Sequence, residues 1–257
     1  MMRVGMLGHH SGLAGRLARA GLEPVACIAL DGAQDGIASV DTLEGYFEAL
    51  EHPRRFFLDL PAGPEVDQMI DRCYVVMEPG DVVVDPTLSY WGDTLRRFRR
   101  MRHRSIFHVD CALIEAPATA LLAGDDRGVE LAAVAIDRLV PPGRVVRAGQ
   151  AGAAHYALMV LAGVATVVTH ALGEARQLLE AYPNEAEPEA VMAHLWPAAD
   201  PAGAAATWLL DDAVRLHAVI PLVAQSVMLE LGAALDDHRA VEVPPRVGGF
   251  VHPDEIL

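Results

Sequence analysis

The sequence predicts an α/β N-terminal domain over residues 1–147, built on a parallel sheet with crossover helices, and an all-α C-terminal domain over residues 148–257. Three observations predict this. Short β-like runs alternate with helical stretches through the first half, each run ends in turn chemistry, and after Pro141-Pro142-Gly143 the pattern changes to longer apolar helices. A hydrophobic fraction of 52% in 257 residues gives the chain enough apolar surface for a sizeable core.

The candidate strands, in order, are 3–7, 24–30, 55–60, 81–84 and 107–111, with 118–123 and 144–147 completing the sheet. Helices are predicted over 13–20, 63–77, 89–102 and 128–139. Gly8, Asp31-Gly32, Pro61-Ala62-Gly63 and Asp85-Pro86 close four of the strands. Ligands of such folds bind outside the carboxyl ends of the strands, so these turns are where a site is expected. In the second half, 151–181 reads as one long helix, apolar nearly all round through its first turns and hence expected to be buried on several sides. Its longest apolar stretch, 157–168, is interrupted by Gly163 and Thr166 and is shorter than the roughly 20 residues of a membrane span. An acidic, Pro-marked loop at 183–188 leads to helices over 189–195, 204–216 and 221–235. The tail 236–257 has no helical period and is expected to run along a surface.

Composition narrows the partners. A formal net charge of −15 argues against sequence-independent nucleic-acid binding. One local exception, Arg96, Arg97, Arg99, Arg100, Arg102 and Arg104, reads as a solvated helix face, with an anion patch as the alternative. Cys27, Cys73 and Cys111 lack paired spacing and read as buried thiols, with neither a disulfide framework nor a zinc site. The N-terminal segment lacks the apolar length of a secretory signal, so a cytoplasmic protein without a membrane partner is expected. No lysine occurs, and all 20 basic side chains are arginine.

The first strand runs into Gly8-His9-His10-Ser11-Gly12-Leu13-Ala14-Gly15, a glycine turn at a helix entrance of the Rossmann-like kind. Gly8, His10, Ser11 and Gly12 are the candidate cofactor residues. The spacing departs from G-x-G-x-x-G: His10 stands where the second glycine lets the backbone meet phosphate, and its side chain would block or redirect a diphosphate. Asp31, at the end of the second strand, is either a ribose acceptor favouring NAD over NADP or the turn residue of Asp31-Gly32. His9 and His10 have no carboxylate nearby in sequence and do not read as a metal pair.

Several further stretches share their order and spacing with one family. They are Phe57-Leu58-Asp59-Leu60-Pro61-Ala62-Gly63, the run from Glu78 to Asp85 followed by Ser89-Tyr90, Gly149-Gln150-Ala151-Gly152-Ala153-Ala154-His155-Tyr156, and Asp211-Asp212-Ala213-Val214. Together they resemble the 6-phosphogluconate dehydrogenase family of the β-hydroxyacid dehydrogenase superfamily, over almost the whole chain. The resemblance implies a Pro61-Ala62 cofactor loop, NAD or NADP as cofactor, and oxidation with decarboxylation of a 3-hydroxy acid by a lysine that acts as base and then acid. Aligned from His155, that lysine falls on Leu158, its following Asn on Ala162 and a Glu on Ala165. The family's substrate-gripping Ser-Gly-Gly is replaced by Leu113-Ile114-Glu115, and its Gly-Gly-Asn by Pro86-Thr87-Leu88. A drift from lysine to arginine does not account for a leucine.

The substrate candidates implied are Ser89, Tyr90, Glu115, Arg246 and His252; the last two keep the spacing of an Arg and a His that cross the dimer in longer members, or else belong to a surface tail. His155 is the nearest titratable side chain on the long helix, either an acid/base or a packing residue at the helix entry. The segment between Tyr182 and Trp208 is shorter than the family's. The resemblance implies a homodimer or a heteromer with a paralogue, while this shorter segment argues against the family's usual dimer. Together these features imply a small-molecule ligand, a dinucleotide or no cofactor at all, and a divergent protein with altered activity on a small polar metabolite that does not oxidise 6-phosphogluconate. The alternative is a non-catalytic pseudoenzyme serving as a binding module or inactive partner.

Overall fold

A computed structural model describes residues 2–32, 37–115, 117–180 and 221–236, with Trp208, Asp211 and Ala213 between them. The chain divides into two compact units, the first containing the residues up to Tyr156 and the second beginning at Ala157. The first unit is an eight-stranded sheet of β1 (Arg3–Leu7), β2 (Glu23–Cys27), β3 (Ala38–Val40), β4 (Arg55–Leu58), β5 (Val82–Asp85), β6 (Phe107–Glu115), β7 (Ala118–Ala123) and β8 (Val145–Gly149). Its spatial order is β3-β2-β1-β4-β5-β6-β7-β8, and every pair is parallel except β6 with β7. The order reverses between β1 and β4, which opens a crevice beyond their carboxyl ends.

Helices cover both faces, which is why the central strands read as near-continuous apolar runs. Val4, Met6, Val82, Val84 and Val109 pack with Leu13 and Leu17 of α1 (Leu13–Arg19) and Ala132 and Ile136 of α6 (Asp126–Ile136). On the opposite face Leu7, Phe56, Leu58 and Val83 meet Tyr46 and Phe47 of α3 (Leu43–Glu48), Val66 and Ile70 of α4 (Pro64–Tyr74), and Met101 of α5 (Trp91–Arg102).

The structure departs from the sequence expectation in several places. The strand expected over 24–30 stops at Cys27, because the chain then turns into a single helical turn, α2 (Ile28–Asp31). The strand expected to end at residue 111 continues to Glu115 and pairs antiparallel with β7, so this replacement of a polar loop is a hairpin. Neither β3 nor α3 was expected.

The long helix, α7 (Ala153–Glu180), is not buried on several sides. Its buried residues Ala154, His155, Met159, Ala162, Gly163 and Thr166 return at each turn along one stripe, while Leu161 and Val164 are 45% and 50% exposed. Contrary to the shorter estimate from 157–168, the 21 residues Ala153–Gly173 are long and apolar enough by composition to cross a membrane. The helix α8 (Pro221–Asp236) agrees with expectation. The helix expected at 189–195, most of that at 204–216, and the tail with Arg246 and His252 lie outside the described residues.

Candidate functional site

At the switch point, β1 delivers Gly8 and β4 delivers Asp59. Gly8 has φ +96°, and a Cβ there would lie 2.4 Å from the Asp59 carbonyl oxygen, so only glycine allows the two strand ends this close. The contact is tied by hydrogen bonds: Asp59 N–H donates to the Leu7 carbonyl at 2.8 Å, and His10 N–H donates to the Asp59 carbonyl at 2.8 Å. The Asp59 side chain, 3% exposed, turns to the entrance of α1. Its Oδ1 accepts from Ser11 N–H at 2.7 Å and from the Ser11 hydroxyl at 2.6 Å, and its Oδ2 accepts from Leu13 N–H at 3.2 Å. A carboxylate thus satisfies the orphan amides that begin the helix.

Four predicted cofactor residues, Gly8, His10, Ser11 and Gly12, therefore gather in one loop around Asp59, which sequence reasoning did not single out. Gly12 is left-handed at φ +74° with open space around it, so the loop is not filled sterically. His10 is exposed, as is Pro61 in the loop between β4 and α4, where Ala62 is half-buried. Asp31 is the last residue of α2. In this arrangement the loop does not fit a dinucleotide diphosphate. Its amides are already bonded to a carboxylate, and a phosphate would meet a second anion.

A second polar assembly lies under the carboxyl ends of β5 and β6. Asp85 Oδ1 accepts from Thr87 N–H at 3.1 Å and from the Thr87 hydroxyl, and Thr87 Oγ1 lies 2.6 Å from Ser89 Oγ. Arg97 of α5, 1% exposed, donates to Ser89 Oγ at 2.7 Å and to the Gly63 carbonyl at 3.3 Å, and lies 3.5 Å from Asp85 Oδ2. His108 Nε2 lies 3.4 Å from the same Oδ2, too far to satisfy either atom; both ring nitrogens of His108 and this oxygen have no hydrogen-bond partner. Burial alone would raise the Asp85 carboxyl. The His108 ring beside it, with His155 and Arg97, outweighs that effect and holds it well below the usual carboxylate range.

The same assembly receives the start of α7. Asp110 on β6 accepts from Gly152 N–H and Ala154 N–H, both at 2.9 Å, and from His155 N–H at 3.3 Å, capping the helix. The His155 ring, 2% exposed, lies between Thr94 Oγ1 at 2.7 Å from Nδ1 and the Asp85 carbonyl at 3.0 Å from Nε2. Of the predicted substrate residues, Ser89 thus joins this assembly. Tyr90 is buried beside it, its ring 5.6 Å from that of Trp91 and its carbonyl accepting from Asp93 N–H and Thr94 N–H. Glu115 is elsewhere, exposed at the end of β6 and 3.5 Å from Arg16. Leu158 is half-buried and Ala162 buried on α7.

In the arginine run Arg99, Arg100 and Arg102 are exposed, as a solvated face requires, while Arg97 is buried and several members pair within the first unit. Arg96 and Arg97 reach Asp67, Arg100 reaches Asp71, and Arg104 bonds the carbonyls of Tyr74 and Met77, all tying α5 to α4 or its exit. A detectable signal was present: Asp67 and Asp71 are four apart on one helix, as are Arg96 and Arg100 on the other.

Similarities to known proteins agree with this architecture. No family model matches the chain. A decarboxylating 6-phosphogluconate dehydrogenase of Bacillus licheniformis is 31% identical over 147 residues, which is 53% of this chain and 32% of that protein. The NAD(+)-dependent, decarboxylating 6-phosphogluconate dehydrogenase of Haloferax volcanii is 27% identical over 241 residues, covering 80% of this chain and 79% of that protein. The match thus spans about a third of the Bacillus relatives. The fold is shared with a 3-hydroxyisobutyrate dehydrogenase of Mycobacterium tuberculosis, at TM-score 0.70 and 18% identity over 92% of this chain and 95% of that one. It is also shared with Plasmodium falciparum 6-phosphogluconate dehydrogenase, at TM-score 0.66 and 15% identity over 98% of this chain and 67% of that one. In sequence the chain is thus similar to 6-phosphogluconate dehydrogenases, and in fold, a Rossmann-like sheet domain followed by a helical domain, it is like these two solved dehydrogenases.

Proposed function

We propose that this chain is an oxidoreductase homologue that does not perform the family's oxidative decarboxylation of 6-phosphogluconate and engages a different small polar metabolite. One observation carries the reading: Leu158 stands where the resemblance puts the proton-transferring lysine, and His155, the nearest titratable residue on the helix, is buried with both ring nitrogens engaged. A general acid or base must reach the proton it moves. A leucine cannot, and His155 would first have to release Thr94 or the Asp85 carbonyl.

Two of the similar dehydrogenases are NAD(+)-dependent, so a nicotinamide dinucleotide is the cofactor class to test against the loop that Asp59 fills, with NAD favoured over NADP if Asp31 meets a ribose. A cytoplasmic homodimer, or a heteromer with a paralogue, belongs to the same reading. The non-catalytic reading is favoured by Ser89, whose hydroxyl is taken up by Thr87 and Arg97 in place of a substrate.

The test is incubation of the purified chain with 6-phosphogluconate and NAD or NADP, read by absorbance of the reduced nicotinamide. No reduction above a no-enzyme control is expected, and reduction above it overturns the proposal. Turnover of any other hydroxy acid in the same assay would exclude the non-catalytic reading.

A further inference from the structure

We infer that the Asp59 carboxylate is a built-in occupant of the loop where this fold ordinarily receives a dinucleotide diphosphate, so that the chain itself opposes dinucleotide binding. Asp59 acts at the switch point between β1 and β4, and neither Leu158 nor His155 takes part.

The position is the first support. In an open sheet of this topology the phosphates rest on the amides at the entrance of the helix that follows β1. Those donors, Ser11 N–H and Leu13 N–H, both end on Asp59, as does the Ser11 hydroxyl. The carboxylate comes from outside the helix, 46 to 48 residues along the chain, and delivers negative charge where a phosphate oxygen would otherwise supply it.

Its anchoring is the second. The Asp59 main chain is bonded on both sides, to the Leu7 carbonyl and from His10 N–H, and Gly8 is packed against its carbonyl oxygen. The backbone therefore holds the side chain at the loop. Rotating the carboxylate away would strip Ser11 and Leu13 of their acceptor, and leaving it in place sets a buried carboxylate against the phosphates.

Asp59 is an obstacle both by its charge and by its hold on the two amides, while Gly12 beside it has open space around it. Removing the carboxylate should therefore admit the ligand. The experiment is calorimetric titration of the whole chain and of its Asp59→Ala and Asp59→Asn variants with NADH, NADPH and inorganic pyrophosphate, with circular dichroism confirming that each variant is folded. Asp59→Ala is expected to bind the dinucleotides about ten-fold more tightly than the parent or better. Asp59→Asn, which keeps an accepting oxygen without the charge, should show a smaller gain, and pyrophosphate should follow the same order. If Asp59→Ala does not fold, the Asn variant decides alone. A parent affinity equal to or tighter than that of the folded variants overturns the inference. Binding is read without turnover, so this result is independent of whether 6-phosphogluconate is oxidised.

Discussion

Arg97 and Asp67 meet as a fork: Nε donates to Oδ1 at 3.2 Å and Nη2 donates to Oδ2 at 3.0 Å, joining α5 to α4. The other terminal nitrogen lies 3.5 Å from Asp85 Oδ2, so one buried guanidinium faces two carboxylates. Replacing it by a neutral side chain leaves Asp85 in the interior without that countercharge. Arg97→Met is therefore expected to lose about 3–5 kcal/mol of stability in urea unfolding. Arg97→Lys keeps the charge without the planar fork and should lose less. A loss below about 1 kcal/mol for Arg97→Met, the range of an exposed pair, would contradict this account.

Acid should weaken the fold through the same residues. Asp85 is held below the usual carboxylate range despite its burial, and Asp67 is lowered too, because Arg96 and Arg97 outweigh its desolvation. A depressed carboxyl contributes stability that is complete above its unfolded pKa of about 3.9 and is lost as pH falls through the folded value. Asp81 has the opposite sign: burial raises it in spite of the Glu78 amide, Arg54 and His52, so its ionisation opposes folding as pH rises. With two groups against one, urea midpoints are expected to fall between about pH 5 and pH 2. Asp85→Asn should start lower and decline less steeply; an unchanged slope would remove Asp85 as a source of the acid response.

The sheet was legible because its signals are local. Val4 to Leu7 ends at a glycine, and Ala118–Ala123 was placed to the residue. β3 and α3 were not legible. Ala38-Ser39-Val40 is too short for a period, and Leu43–Glu48 carries Gly45. The site was harder for another reason. Alternation in Phe107-His108-Val109-Asp110 suggests that His108 and Asp110 face water, yet α5 covers that side and both are buried. Asp59 looked like one more residue of a loop motif, and its partners, 46 to 48 positions earlier, carry no sequence mark of the pairing. Glycines at a strand end can be read from sequence; what fills the space beside them depends on which strand the topology places next.

The two glycines of the first loop should differ in tolerance. At Gly8 a side chain meets both a left-handed backbone and the Asp59 carbonyl at 2.4 Å, neither of which can yield without separating β1 from β4. At Gly12, φ is +74° and nothing lies within 4 Å. Gly12→Ala is expected to cost about 1–2 kcal/mol, the backbone term alone. Gly8→Ala should cost about 3 kcal/mol or more, because overpacking adds to strain. Thermal melts of the two variants distinguish them, and equal losses would mean that the strand ends separate freely.

His155 supplies the last expectation, since its ring joins α5 to the end of β5. Nδ1 lies 2.7 Å from Thr94 Oγ1 and Nε2 lies 3.0 Å from the Asp85 carbonyl, with the ring 2% exposed. His155→Phe keeps the ring volume but takes this partner from the Asp85 carbonyl, at about 1–3 kcal/mol, and leaves the Thr94 hydroxyl only its 3.3 Å bond to the Tyr90 carbonyl. Thr94→Val removes the Thr94 contact from the other side. In a double-mutant cycle the two changes are expected to couple by about 0.5–3 kcal/mol, because the second breaks a bond already lost. A residue poised for proton transfer would behave differently: His155→Phe would leave stability nearly unchanged and abolish whatever turnover the parent shows. Urea unfolding beside an activity assay separates the two, and a stable, inactive variant would return His155 to the reaction centre.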